Sequence, residues 1–230
     1  NILINPLNAV LLGEGKSKAC DINWTRAVAT PDGWTFVIPN TTQTTSYGYL
    51  YNDKITPIKE AAANFKKLFS LAEQGVYLNE NVDNFKFKNY IAKKPILDNR
   101  IILSGNRFFF LEPLESTAIA SYLGWARFTW DWIIEKKTTP ELITNKFHMY
   151  VNQIQNFIMW HYSYGSQYDT LFWDTAKKLK IKDSFFDEIL AEVKLSTMIE
   201  LLAAENQNAP PIYGQWGKWN FKCWHDGMTK

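Results

Sequence analysis

Long apolar runs and clusters of like charge are scarce in this sequence, and each scarcity excludes a class of protein. No apolar run approaches the roughly 20 residues of a membrane-spanning helix, and the N-terminus has no basic stretch followed by a signal-like apolar core. The 25 basic and 23 acidic side chains leave a formal charge of only +2, and lysine and arginine never form a run longer than two. We therefore predict a soluble, cytoplasmic protein with no membrane and no nucleic acid among its partners.

Cysteine and histidine are scarce too. Cys20 and Cys223 are the only cysteines and lie outside any CxxC pattern, which argues against a zinc ribbon or a disulfide framework. We interpret both as reduced, structural thiols. His148, His161 and His225 have no spacing of the HExxH kind, so the sequence predicts no metal site.

Aromatic side chains, in contrast, make up 16% of the sequence, and their simplest role is packing in a core. Between residues 23 and 52 they alternate with Thr and Val, and Gly and Pro interrupt the pattern. We therefore predict antiparallel strands at about 27–29, 34–38 and 47–51. The first two strands are expected to turn at Pro31-Asp32-Gly33.

A helix is predicted next along the chain. Thr56 suits an N-cap, Pro57 suits the first helical position, and Glu60 suits the opening turn. Apolar residues then recur at helical spacing to about Glu73, and Gly75 is the expected stop.

The downstream part of the chain changes from strand patterns to helical ones. Strands are predicted at 84–91 and, as a buried apolar run, at 100–103. After them the sequence predicts helices at about 116–135, 139–164, 168–179 and 185–203, and an ordered aromatic loop from Asn206 to Lys230.

These elements predict an α+β fold. Residues 1–112 are expected to form a partial sheet region with one helix, and residues 113–230 a helical region with an aromatic C-terminal tail. The helices should pack over the sheet through faces such as Ile119, Leu123 and Ala126.

Two short motifs carry possible chemistry. Gly13-Glu14-Gly15 has the start of a dinucleotide-binding loop, but Lys18 stands where the third glycine would be, so we assign no diphosphate site there. Glu112 and Glu115 lie three residues apart, a spacing that suits acid–base work. The structural alternative is that Glu115 favours a helix N-terminus and that Glu112 only shapes a turn.

Four stretches, in this order along the chain, carry a family signature. Gly33–Pro39 resembles a Trp-x-Trp-x-Ile-Pro motif with Phe36 in place of the second tryptophan, and Gly48–Tyr51 resembles a Gly-Tyr-Val-Tyr strand. Phe109–Ala118 is similar to a Phe-x-Glu-Pro-Leu-Glu-Ser/Ala-Thr-Gly/Ala segment. His161-Tyr162 followed by Asp169–Trp173 resembles a helical His-Tyr and Asp-Thr-x-Phe-Trp element. All four resemble the flavin-dependent, tryptophan-type halogenases.

The resemblance implies a reaction and a set of catalytic residues. In this family reduced FAD, oxygen and a halide ion make hypohalous acid, which halogenates an electron-rich aromatic. Glu115 would orient the substrate or the halogenating species, and Ser116 would couple the substrate side to the flavin side. The backbone N–H groups of Thr117 and Ala118 would bind the halide, although Ala118 stands where many members have glycine. A small aromatic substrate and a separate flavin reductase are the implied partners.

The resemblance also implies where the cofactor and the substrate bind. The candidate FAD-binding residues are Trp34, Phe36, Ile38 and Pro39, with the turn Gly105-Asn106. The alternative for Trp34 and Phe36 is one buried strand face. The candidate substrate-binding residues are Phe110, Glu112, Trp216 and Trp219, for which core packing is the alternative for the tail tryptophans. His161, Tyr162, Phe172 and Trp173 are predicted to pack between helices.

For the fold, the resemblance implies the returning antiparallel sheet of a flavin-monooxygenase-like core, followed by a mainly helical substrate-covering region. The family's Gly-x-Gly-x-x-Gly loop and active-site lysine have no counterpart here, so we expect the chain to be a C-terminal portion that is inactive alone. Two alternatives stay open: an FAD-dependent monooxygenase that inserts oxygen, and a non-catalytic aromatic-lined binding module on the same fold.

Overall fold

The computed structural model describes residues 3–16, 25–40, 44–72, 77–78, 83–204 and 211–229. The chain folds into two compact units. The sheet unit consists of Ile4–Asn89 and Gly165–Leu179, and the helical unit consists chiefly of Tyr90–Tyr164 and Lys180–Lys230. Within the described ranges, every helix is too short or too polar to cross a bilayer.

The sheet unit is built on one antiparallel sheet, whose strands are β1 Ala9–Lys16, β2 Arg26–Thr30, β3 Gly33–Pro39, β4 Thr44–Tyr51, β5 Tyr77–Leu78 and β6 Asp83–Lys86. Their order is β2-β3-β4-β1-β5, and β6 also pairs with β1. The predicted hairpins are confirmed, with Thr30 paired to Gly33 across the turn Pro31-Asp32. The sequence did not predict β1, although it lies inside the sheet and carries Gly13 and Gly15.

One face of this sheet packs against helix α1, Ile58–Ala72. Because side chains alternate along a strand, Tyr47, Tyr49 and Tyr51 of β4 lie on the same face and are buried with Ala61 and Phe65 of the helix. The rings of Tyr49 and Phe65 lie 5.3 Å apart. The apolar face predicted for this helix therefore packs against the sheet. The predicted end of the helix at Gly75 lies outside the described residues.

A buried carboxylate ties the first hairpin turn to α1. Asp32 accepts hydrogen bonds from the Tyr49 hydroxyl at 2.5 Å, from the Thr56 hydroxyl at 3.0 Å and from the Asn64 amide at 2.9 Å. The Thr56 hydroxyl, predicted as an N-cap, is thus a donor to Asp32. Burial, reinforced by the hydrogen bond to Asp32, raises the pKa of Tyr49.

The segment 165–179 belongs to the sheet unit although it follows the long helices in sequence. It contains α4, Leu171–Ala176, which is shorter than the predicted helix at 168–179. The Trp173 indole donates to the Thr30 carbonyl at 2.7 Å, and the Thr170 hydroxyl donates to the Pro31 carbonyl at 2.7 Å. Two residues of the Asp-Thr-Leu-Phe-Trp stretch therefore hold the first hairpin turn.

The helical unit contains the longest helices and two small strand pairs. Strand β7 pairs with β10, and β8 pairs with β9, both antiparallel. The helices are α2 Ala118–Ile133, α3 Pro140–Tyr164, α5 Ser184–Leu195, α6 Met198–Ala204 and α7 Lys218–Met228. The strands are β7 Tyr90–Ile91, β8 Ile96–Leu97, β9 Ile101–Ile102 and β10 Phe109–Phe110, and short 3-10 turns cover Gly105–Arg107 and Leu114–Ser116.

Most of the aromatic residues of this unit pack against one another. Phe147 on α3 lies 4.7 Å from Phe108, 5.4 Å from Phe109 and 5.2 Å from Trp125, measured between ring centres. A second cluster further along α3 surrounds Phe157. Core packing therefore accounts for much of the aromatic content.

One helix prediction and one loop prediction in this unit were wrong. The helix predicted at 185–203 is two helices, because Thr197 and Glu200 form a capping box that starts α6: the Thr197 N–H donates to the Glu200 carboxylate, and the Glu200 N–H donates to the Thr197 hydroxyl. The tail predicted as a loop contains α7, whose N-terminus is closed by a bond from the Gly217 N–H to the Asn220 side chain.

Several exposure and strand predictions were also wrong. The strand predicted at 84–91 is divided into two short strands, β6 and β7. Ile101, in the strand predicted to be buried at 100–103, is exposed because β8 and β9 form an isolated pair. Ile119 and Leu123 are 74% and 67% exposed, and Ala126 is exposed with them, because α2 buries the face that carries Ser121 and Trp125.

The cysteine interpretation has a mixed outcome. Cys223 is a free thiol but is exposed, so its predicted structural role was wrong. Cys20 lies outside the described residues.

Candidate functional site

The segment from Phe109 to Ala118 connects β10 to α2 through an irregular turn. Glu115 and Ser116 both adopt left-handed backbone conformations, with φ of 67° and 51°. Residues other than glycine and asparagine rarely adopt the left-handed backbone conformation. Holding one of them there costs on the order of 1–3 kcal/mol. Two adjacent strained residues indicate that the surrounding structure dictates this turn and aims the Glu115 side chain.

The helix that follows the turn begins with free donors. Neither the Thr117 N–H nor the Ala118 N–H has a hydrogen-bond acceptor within the part of the chain that the structure describes. The Thr117 side chain makes no capping bond to the helix. The first turn of a 16-residue helix therefore presents two N–H groups and the positive end of the helix dipole, which suits an anion.

The Glu115 carboxylate faces His161 of α3. The distance between Glu115 Oε1 and His161 Nε2 is 3.5 Å, at the outer limit of a hydrogen bond, and both side chains are largely buried. His161 Nδ1 lies 2.7 Å from the Phe157 carbonyl, which can only accept, so Nδ1 carries a proton and Nε2 faces the carboxylate. The Trp224 ring lies 4.1 Å from the imidazole.

His161 was predicted to pack between helices, and its contact with Glu115 was missed. No local pattern announces that contact, because the two residues are far apart in sequence. The other three residues of that prediction, Tyr162, Phe172 and Trp173, are buried, as packing residues should be.

Glu112 and Phe110, predicted to bind substrate, lie in different surroundings. Glu112 is buried, and Tyr162 donates its hydroxyl proton to Glu112 Oε1 at 2.6 Å. Phe110 is half-buried and pairs with Tyr90 in the β7–β10 ladder. The two predicted acid–base partners are therefore dissimilar: Glu112 is hydrogen-bonded in the core, and Glu115 keeps a small exposed fraction beside His161.

The predicted substrate tryptophans of the tail differ in exposure. Trp216 is 6% exposed and stacks on Phe157, with ring centres 3.9 Å apart and planes 15° apart. Trp219 is 40% exposed. Burial favours core packing for Trp216, and substrate binding by either residue stays a prediction.

The predicted cofactor turn Gly105-Asn106 lies in a 3-10 turn of the helical unit. The Asn106 carbonyl accepts from the Tyr90 hydroxyl, and its side-chain oxygen accepts from the Tyr122 hydroxyl at 2.7 Å. Among the described residues, no acceptor contacts the Gly105 and Asn106 N–H groups. Those two groups are the donors that this turn can offer to a ligand.

The remaining predicted cofactor residues lie on β3 in the sheet unit. Trp34, Phe36 and Ile38 share the face opposite to the α1 contact, and their exposure increases in that order along the strand. The Trp34 indole N–H is buried and has no acceptor within the described ranges. Pro39 ends the strand and is half-buried.

Comparison with known proteins identifies relatives of the chain. A profile of the tryptophan halogenase family matches residues 9–202. The tryptophan 6-halogenase ThaL from Streptomyces albogriseolus is 27% identical over 174 residues, which cover 72% of this chain and 31% of that protein. The tryptophan 7-halogenase RebH from Lentzea aerocolonigenes is 25% identical over 170 residues, with the same coverage of each chain.

Solved structures share the fold. The thermophilic tryptophan halogenase Th-Hal from Streptomycin violaceusniger superposes with a TM-score of 0.75 at 20% identity, over 97% of this chain and 42% of that one. This likeness confirms the predicted α+β fold of the flavin halogenases. The chain spans about a third of the length of the curated relatives that it matches. Since the family profile matches well over half of its residues, the chain belongs to the tryptophan halogenase family.

Proposed function

We propose that this chain supplies the halide and substrate side of a flavin-dependent halogenase. The complete protein would use reduced FAD, oxygen and a halide ion to make hypohalous acid and would halogenate a small, electron-rich aromatic. A separate flavin reductase would reduce the FAD. The observation that supports this most directly is the strained turn at Glu115 and Ser116, followed by a helix start with two unbonded N–H groups.

The two N–H groups would hold the halide. A halide ion accepts hydrogen bonds from N–H donors, and the positive end of the α2 dipole stabilises its charge. Ala118 has a small side chain, so the backbone can still approach the ion. Thr117 is buried as a whole residue, so an ion held by its N–H would lie away from water.

Glu115 would act on the substrate. Its carboxylate accepts hydrogen bonds and stabilises positive charge that develops on an attacked ring. The left-handed backbone and the neighbouring imidazole of His161 restrict where the carboxylate can lie. Ser116, between Glu115 and the halide donors, would couple the substrate side of the turn to the flavin side.

The FAD, when bound, supplies the activation of oxygen that no side chain can provide. The residues that would contact it are the Gly105 and Asn106 N–H groups and the β3 residues Trp34, Phe36, Ile38 and Pro39. In the helical unit, the free N–H groups of Gly105 and Asn106 fit a ligand rich in acceptor atoms. In the sheet unit, the Trp34 indole N–H is a further donor with no acceptor among the described residues. Phe110, Glu112, Trp216 and Trp219 remain the proposed substrate-side residues.

The proposal is tested on the protein expressed from its complete reading frame. The protein is mixed with FAD, a flavin reductase, NADH, oxygen and bromide, with indole as the probe substrate, and the products are identified by mass spectrometry. Wild type should give bromoindole in a bromide-dependent reaction. Glu115→Gln should lower kcat by about 100-fold or more, because a residue that acts on the transition state is typically worth that much. Glu188→Gln, the same change at an exposed position of α5, should match wild type.

Other outcomes separate the alternatives. A hydroxylated product formed without bromide would show that the protein is a monooxygenase that inserts oxygen and not a halogenase. Binding of indole without any product, with FAD and reductase present, would favour a non-catalytic binding module. Full activity of Glu115→Gln would contradict the assigned role of this carboxylate.

A further inference from the structure

A tight turn in the C-terminal tail reaches the start of α2. Ile212 and Tyr213 donate their N–H groups to the Trp216 carbonyl, and the Trp216 N–H donates to the Tyr213 carbonyl at 3.0 Å. Gly214 allows the turn through a φ of 57°, and its N–H donates to Gln153 Oε1 at 2.9 Å. The turn is therefore fixed to α3, and it presents Gln215 at its tip.

The Gln215 side chain contacts the segment proposed to bind halide. Its Nε2 lies 3.0 Å from the Thr117 carbonyl, 3.1 Å from Ser121 Oγ and 2.8 Å from the Tyr150 hydroxyl. A carbonyl can only accept, so the amide nitrogen must face Thr117. Nε2 has two hydrogens, so it donates to the carbonyl and to one hydroxyl at a time.

The Thr117 carbonyl is surrounded by donors. Besides Gln215, it accepts from the Ser121 N–H at 3.0 Å and from the Ser121 hydroxyl at 2.8 Å. Thr117 and Ser121 are both buried, so these bonds form away from water. The helix alone would supply only the bond from the Ser121 N–H.

This carbonyl and the Ala118 N–H belong to one peptide group. The carbonyl oxygen and the amide nitrogen are coupled by resonance, so donors that draw electron density to the oxygen leave the N–H more positive. Hydrogen bonds in a low-dielectric interior strengthen one another in this way. The same donors also fix the plane of the peptide, and with it the direction of the N–H.

We propose that Gln215 is a positioning residue for the halide site. It orients and polarises the Thr117–Ala118 peptide, so that the Ala118 N–H binds the halide ion more tightly. The inference rests on the proposed function, since that function places the halide at Thr117 and Ala118. Gln215 itself does not touch the ion, and its effect passes through one peptide bond.

The test measures halide binding without turnover. The complete protein with FAD is titrated with chloride, and the 35Cl line width gives the dissociation constant. Gln215→Met keeps the length of the side chain and removes its donor. It should raise the dissociation constant about two- to threefold, less than the loss of a direct hydrogen bond to the ion, because the effect passes through a neighbouring bond. Under turnover the KM for halide should rise by the same factor, while kcat at saturating halide changes less than twofold.

Two further variants separate this role from simple anchoring of the tail. Ser121→Ala removes another donor to the same carbonyl and should weaken chloride binding in the same direction. Tyr150→Phe removes the hydrogen bond between Gln215 and α3 but leaves the bond from Gln215 to the Thr117 carbonyl. It should leave the dissociation constant for chloride unchanged. If Gln215→Met does not fold, as judged by circular dichroism, Gln215→Asn replaces it: the amide stays polar but is one methylene shorter, so its donor is drawn back from the Thr117 carbonyl and chloride binding should weaken in the same direction.

Each outcome has one meaning. Equal weakening by Tyr150→Phe and Gln215→Met would show that Gln215 acts by anchoring the tail, and would overturn the inference. Unchanged chloride binding in Gln215→Met, with normal binding by wild type, would overturn it and leave the halide site standing. Absence of chloride binding by wild type would refute the halide site itself, and the inference with it.

Discussion

Gly48 on β4 lies directly beneath the ring of Phe36, its neighbour on β3. A Cβ atom at residue 48 would overlap the Phe36 ring atoms, so glycine leaves the space that this aromatic ring fills. The Gly-Tyr-Leu-Tyr stretch and the Trp-x-Phe-x-Ile-Pro stretch are thus two halves of one packing arrangement. Their joint occurrence in the sequence has a steric cause in addition to any contact with a ligand.

Gly48→Ala should therefore lower the free energy of unfolding by about 1–3 kcal/mol, because it overfills a packed site. Gly124→Ala on α2 is the matched control: nothing lies within 4 Å of the new Cβ, and alanine should raise stability by about 0.5–1 kcal/mol through helix propensity. Urea unfolding followed by tryptophan fluorescence measures both. Equal effects of the two substitutions would contradict the steric explanation.

At the scale of residues, the sequence predicted positions that form a contiguous motif and missed those joined only by the fold. Glu115, Ser116, Thr117 and Ala118 stand together in one segment, so the resemblance named them. Gln215 reaches Thr117 across 98 residues, and no spacing rule connects two such positions. The backbone strain at Glu115 was equally out of reach, since it depends on how the turn is held.

At the scale of elements, the start of α5 shows how one side chain can fix a helix in place. Asp183 is the N-cap and accepts from the Phe185 and Phe186 N–H groups. Its other oxygen accepts from the Tyr213 hydroxyl at 2.6 Å and from the Asn156 amide at 3.1 Å. The helix N-terminus, the tail and α3 therefore meet at one carboxylate.

Asp183→Ala should destabilise the protein by about 2–4 kcal/mol, because it removes a cap and leaves the hydroxyl of the buried Tyr213 without its acceptor. Asp183→Asn keeps an oxygen for the cap and should cost less. Asp187→Ala, in the first turn of the same helix, removes a charge without a cap and should fall within about 0.5 kcal/mol of wild type. Thermal unfolding ranks the stability of the three variants. If Asp187→Ala lost as much stability as Asp183→Ala, the helix dipole alone would explain the effect and the capping bonds would not.

Elements with strong local signals were predicted, and those defined by their partners were not. The turn at Pro31-Asp32-Gly33 and the apolar spacing of α1 and α3 are local, and the structure has all of them. Strand β1 contains two glycines and no aromatic residue, so its strand propensity is weak, and pairing with β4 stabilises it. Helix α7 follows a glycine-rich and proline-rich stretch that reads as a loop.

At the scale of the whole molecule, each unit buries a tyrosine whose neutral form is favoured. Burial and the hydrogen bond to Asp32 raise the pKa of Tyr49 in the sheet unit. Burial and the hydrogen bond to Asp183 raise the pKa of Tyr213 in the helical unit. Each carboxylate accepts a hydrogen bond from its tyrosine hydroxyl, so ionisation of the tyrosine would break that bond and place two negative charges together.

The protein should therefore lose stability at alkaline pH. Below about pH 10 both tyrosines are neutral in the folded and the unfolded chain; above it only the unfolded chain ionises them, and the free energy of unfolding falls by about 1.4 kcal/mol per pH unit for each. Urea titrations between pH 8 and 11 measure the slope. Tyr49→Phe should be less stable at pH 8 and show a shallower alkaline slope, because it removes one of the two tyrosines.

The fold class and the family followed from the sequence, and the grouping of segments did not. The predicted boundary between residues 112 and 113 stays a prediction, while in the structure residues 90–112 belong with the helices and residues 165–179 with the sheet. Hydrophobic periodicity predicts the type of an element but not which earlier segment the chain comes back to contact. That return depends on bonds such as the one from the Trp173 indole to the Thr30 carbonyl.

The attachment of residues 165–179 to the first hairpin turn has a consequence for the order of events during protein synthesis. A ribosome releases residues 4–89 before residues 90–173, so Thr30 and Pro31 gain their partners Trp173 and Thr170 only after the whole intervening stretch has been made. Contacts between distant parts of a chain form slowly. The hairpin turn therefore lacks its final partners while the long helices leave the ribosome. Completion of the sheet unit is thus tied to translation beyond residue 173.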